Sequence, residues 1–143
     1  WKTREVAKEH GIEITRQVAR GAMHVVKEKP LAVEELVSPV ISSVVKVSSR
    51  AGVNPLDAIL GASQGIIQGA AETGIDLGEA TLQTILVARE VAAQIGLSED
   101  VAVAKAAEGA LQAAEAIGPE AVAEVAESLP DEILALGDKG DKQ

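Results

Sequence analysis

Cysteine, phenylalanine and tyrosine do not occur in this 143-residue chain, and tryptophan and methionine occur once each. Without cysteine there is no disulfide, no thiolate metal site and no cysteine nucleophile, while the redox compartment is left open. With so few aromatics there is no stacking platform for bases, sugars or flavins, and a core has to be built from Ala, Val, Ile and Leu. Such aliphatic interiors suit closely approaching helices, whereas strand-rich domains usually draw on aromatic as well as β-branched residues. Long apolar runs are missing too. The most hydrophobic stretch, residues 56–71, is interrupted by Asp57, Gln64 and Gln68. It falls short of the roughly 18 uninterrupted apolar residues of a membrane span, so no transmembrane helix is expected. The sequence also has no P-loop, no dinucleotide-binding glycine motif and no His-Glu-x-x-His.

What is present is an acidic, apolar-rich chain. Hydrophobic residues make up 47%, mean hydropathy is +0.17 and the net charge is −9. The charge is unevenly placed: residues 1–50 hold nine Lys and Arg against six acids, and the remainder four against 16. An overall acidic balance disfavours nucleic acid as a partner, although Arg16, Arg20, Lys27 and Lys29 form a small basic cluster. A basic segment beside an acidic one is explained by intramolecular packing or by head-to-tail self-association. The chain begins with Trp1 rather than Met, which reads as a processed or trimmed end and leaves a removed targeting segment open. No compartment is assigned, and the cytoplasm is the default expectation.

The strongest pattern is an interval of 22 residues: Gly52, Gly74, Gly96 and Gly118 recur at that spacing, and Asn54, Asp76 and Ser98 follow the first three by two residues. Glycine supplies the left-handed residue that ends a helix, and Asn, Asp or Ser caps the next one. Asn54-Pro55 puts a cap before a proline at the first helical position, and Asp76 with Glu79 has capping-box spacing. Short connections make neighbouring helices antiparallel.

In register, one helical row reads Glu35, Pro39, Ser42, Lys46, Arg50 in its first unit and Asp57, Gly61, Gln64, Gln68, Glu72 in its second; 15 of its 20 members over four units are polar. The opposite row, such as Val37, Val40, Ile41, Val44, Ser48 or Ile59, Ala62, Ser63, Ile66, Ala70, carries no charge in any unit. The period of 3.6 predicts an all-α fold: about six short antiparallel helices on a 22-residue single-helix repeat, as a helical-hairpin solenoid or an up-and-down bundle. Residues 1–136 are expected to form one domain and 137–143 a disordered tail. An N-terminal helix is expected over 3–29, bent or interrupted at Gly11, a break is expected at Ser38-Pro39, and a final turn at 130–136.

Two units make a hairpin of about 44 residues, a length similar to HEAT and armadillo repeats. The resemblance is of period only and brings no functional residues. The period also resembles that of exchangeable apolipoproteins, and the amphipathic helices resemble phasin-type granule proteins. The chain departs from those in its few cations after Arg50 and its lack of bulky aromatics.

Gly61, Gly65 and Gly69 form a G-x-x-x-G-x-x-x-G run inside one predicted helix, where each glycine costs about 0.5–1 kcal/mol against alanine. They lie on the flank between wet and dry rows, which marks them as helix-packing or interface residues rather than a membrane pore. His10 and His24 have neither the Glu-x-x-His nor the zinc-helix arrangement, so no metal and no cofactor is expected. Glu120, Glu124 and Glu127 share one helical face and read as a solvated row rather than an acid/base pair. The reading is a non-enzymatic structural or protein-interaction protein that forms homo-oligomers, with a lipid- or granule-surface binder as the alternative.

Overall fold

The computed structural model describes residues 2–27, 32–131 and 133. Among these residues the chain forms α1 (Lys2–Met23), which runs into a 3₁₀ turn at His24–Lys27, then α2 (Val33–Arg50), α3 (Pro55–Thr73), α4 (Leu77–Ile95), α5 (Glu99–Ile117) and α6 (Pro119–Ser128). There is no strand among them, and the fold is an all-α bundle. The expected tail at 137–143 and most of the final turn lie outside the described residues.

Local chemistry accounts for the helix ends. Asn54 Oδ1 accepts a hydrogen bond from Leu56 N–H at 2.8 Å, and Asp76 Oδ1 accepts from Glu79 N–H at 2.8 Å. Ser98 Oγ accepts more loosely from Val101 N–H at 3.4 Å. Gly52, Gly74 and Gly96 have φ of 84°, 77° and 77°, a conformation costly for any residue with a Cβ. The residue after each donates to the carbonyl five positions back: Val53 to Ser48, Ile75 to Ala70, and Leu97 to Ala92. Val53, Ile75 and Leu97 then pack against the core, completing the hydrophobic contact of a Schellman-type stop. Gly118 departs from the pattern, with φ 151°, because the residue that would donate is Pro119, which has no N–H.

Two expectations are corrected. α1 is unbroken at Gly11, whose role is space: a Cβ there would lie 3.0 Å from Val53 Cγ1. α2 runs through Ser38-Pro39 without a break. Pro39 and Glu35, whose carbonyl loses its N–H partner, are both exposed, so water solvates the freed group while Leu36, Val37, Val40 and Ile41 stay buried on the other side. Tertiary packing carries the helix across a residue that breaks isolated helices.

The helices form two layers. α3 stands between α1 and α5 in one, α4 stands between α2 and α6 in the other, and each sequence neighbour crosses between layers. In the first layer α1, α3 and α5 run parallel, whereas in the second α6 brings its last residue, Ser128, against Gly78 at the start of α4. Thr15, Ala19 and Met23 of α1 meet Gly61, Gly65 and Gly69 of α3 in ascending order. Across layers the chain reverses at each turn from α1 to α5. The buried residues of all six helices join in one contiguous core. All 20 positions of the predicted dry row are buried; in the wet row only Gly61 is.

Candidate functional site

α3 is the hub of the fold because its small residues let neighbours approach from several directions. Ser63, fully buried, donates to the Ala106 carbonyl of α5, and beside it Gly109 of α5 has no room for a Cβ, which would lie 2.5 Å from the Leu60 carbonyl oxygen. On the other side Gly61, Gly65 and Gly69 form a groove that receives α1. A Cβ on Gly61 would lie 2.5 Å from the Ile12 carbonyl oxygen. One on Gly65 would lie 2.7 Å from the Arg20 nitrogen and closer still to the Arg16 carbonyl oxygen, and one on Gly69 would lie 2.6 Å from Met23 Cβ. All are inside van der Waals contact, and most of the obstructing atoms are backbone. The three glycines thus face another helix of the same chain, and Gly109 is a fourth close approach that no sequence motif flagged.

A row of polar pairs runs along the edge of this seam. Lys8 Nζ stands 3.9 Å from Asp57 Oδ1, and Arg16 donates to Gln68 Oε1 at 2.7 Å. Arg20 forks onto Glu72, with Nε 2.8 Å from Oε1, and His24 Nε2 lies 3.0 Å from the same oxygen. The basic cluster at Arg16 and Arg20 is therefore engaged within the molecule. The Arg20 hydrogen bond, helped by His24, holds the Glu72 carboxyl down at about 2, and Glu72 in turn raises the Arg20 guanidinium. Arg16 lowers Glu13 in the same way.

The sign for Glu72 follows from the depressed value. Its contribution is present above the ordinary carboxylate range near 4.5 and is lost as pH falls from there toward 2. The pair is exposed to solvent, so its worth is the small one of a screened surface ion pair. Thermal unfolding of Glu72→Gln should therefore differ from the parent at pH 7 and converge with it near pH 2. The same difference should shrink in about 1 M salt, where charges are screened beyond roughly 3 Å. A constant difference across pH and salt would mean that the row does not hold α1.

Elsewhere the surface offers chemistry of a different kind. The outward side of α1 exposes Val6, Ile14 and Val18, Val25 in the 3₁₀ turn is exposed as well, and Val47 of α2 stands beside Ile14 and Val18 at 63% exposure. Between the two helices lies a shallow apolar groove of about 150 Å³ lined by Ile14, Val18, Val44 and Val47. This face gives no clear signal in the sequence because α1 carries a second apolar row, Ala19 and Met23, that satisfies the core. His10, Glu120, Glu124 and Glu127 are exposed. No cluster of three or more metal-ligating side chains occurs among the described residues, and none of their helices is long and apolar enough to cross a membrane. Compared with protein families, curated proteins and solved structures, the chain finds no match.

Proposed function

We propose that this is a non-catalytic structural or protein-interaction protein, a helical repeat array that associates with copies of itself through the outward face of α1. The observation that carries the reading is the uncharged stripe Val6, Ile14, Val18 and Val25, joined by Val47. Apolar side chains exposed together mark a surface meant for contact. Charge favours a second copy meeting there: each molecule carries −9, and residues 1–50, at +3, are the part on which two copies repel least.

The lipid- or granule-surface alternative asks the amphipathic helices to spend their dry faces on an apolar surface. Those faces are buried against one another, which favours helix-on-helix association. Light scattering of the full chain should give a discrete oligomer, and Ile14→Glu with Val18→Glu should give a folded monomer by circular dichroism. A parent that is monomeric, or a variant that keeps the parent's mass, would refute the self-association reading. Flotation of the parent with vesicles, lost in the variant, would transfer the stripe to the lipid-surface reading.

A further inference from the structure

The second half of α2 and the end of α4 enclose an open cleft of about 630 Å³, within the range of small-molecule sites. The apolar part of its lining is aliphatic, with Val45 from α2, Val91 and Ile95 from α4, and Leu97 just beyond; the polar part includes the exposed cations Lys46 and Arg50. Ile95 is 46% exposed there. In a chain with 22 acids, Lys8, Arg16, Arg20 and Lys105 each sit in an ion pair, whereas no ion pair among the described residues involves Lys46, Arg50 or Arg89; of these three, Lys46 and Arg50 line the cleft.

Lys46 and Arg50 are one helical turn apart, a spacing at which like charges repel by a few tenths of a kcal/mol. The helix dipole accounts for a cation in the last turn of α2, but not for a second one a turn earlier, nor for an aliphatic cleft beside them. Both features fit one kind of molecule. We infer that the α2–α4 cleft binds a free single-chain anionic amphiphile, its aliphatic tail against Val45, Val91, Ile95 and Leu97 and its carboxylate between Lys46 and Arg50. Two full positive charges outweigh the roughly half negative charge of the helix end. The wall has no aromatic ring, so the site suits a flexible aliphatic chain rather than a flat ligand. This site is separate from the α1 stripe and does not depend on self-association.

Calorimetric titration of the full chain with dodecanoate, below its micelle concentration, tests the inference. One saturable site is expected, with the helical circular dichroism signal retained. Lys46→Glu combined with Arg50→Glu should weaken binding roughly tenfold or more, tenfold being about 1.4 kcal/mol. Val91→Asp should weaken it from the tail side, and Ile14→Glu should leave it unchanged. Dodecyltrimethylammonium, with the same tail and the opposite charge, should bind the parent weakly. Equal binding of the two amphiphiles, undiminished binding by the charge-reversed variant, or loss of helix on titration would overturn the inference. So would capture by anionic phospholipid vesicles without saturable uptake of monomeric dodecanoate, which would assign the cations to a membrane surface.

Discussion

Replacing Gly65 by alanine should destabilise the protein, even though alanine is the better helix former by about 0.5–1 kcal/mol. The new methyl would lie 2.7 Å from the Arg20 nitrogen and 2.8 Å from Ala19 Cβ, so α1 has to move away from α3. Backbone cannot rotate aside as a side chain can, and overpacking of this kind costs about 1–3 kcal/mol. The steric cost exceeds the gain in helix propensity, and Gly65→Leu should be worse, with the order of stability Gly, Ala, Leu in urea unfolding. Gly21 supplies the contrast: it is also helical, but nothing lies within 4 Å of an added Cβ. Gly21→Ala, compared at a dilution where copies do not associate, should show the gain in helix propensity with no steric cost to set against it. If Gly65→Ala also raises the midpoint, the seam yields readily and close backbone approach does not govern it.

Pro39→Ala should have a large effect in the opposite direction. Proline in a helix interior is disfavoured by about 3 kcal/mol relative to alanine, and part of this is offset because proline also restricts the unfolded chain, by about 0.4–1 kcal/mol. Pro39 is exposed and sits within α2, so alanine restores a hydrogen bond to the Glu35 carbonyl without disturbing Val37, Val40 or Ile41. With that offset the expected gain is about 2 kcal/mol in the same assay. A midpoint that falls would show that the proline ring, rather than the turn of helix around it, supports the packing of α2.

These two sites divide what could be read from the sequence from what could not. The caps at Asn54 and Asp76 and the glycine stops were legible because their partners lie within five residues. The dry row was legible because burial and period are the same statement on a helix. Continuity through Pro39 was not, since the local rule favours a break and the decision belongs to side chains packed on the far face. The glycine run announced a close approach, but not its partner, since α1 lies about 50 residues away along the chain. Gln68 and Glu72 read as a solvated row, yet they serve as the anchor points for Arg16 and Arg20. The exposed stripe of α1 and the α2–α4 cleft were hidden because neither is a motif. Each exists only once two helices stand side by side.

The seam has a bearing on how the molecule opens. α1 contributes Ala19 and Met23 as its buried hydrophobic residues, whereas α3 contributes Ile59, Leu60, Ile66, Ile67 and several alanines. A helix with few apolar anchors detaches at a smaller free-energy cost than the whole fold requires. Native-state breathing is therefore expected to be graded across the layer: amide protons of α1 should exchange with solvent through a partial opening, and those of α3 should wait for global unfolding. What such an opening uncovers is a glycine-lined trough on α3, shaped for a helix and empty of large side chains.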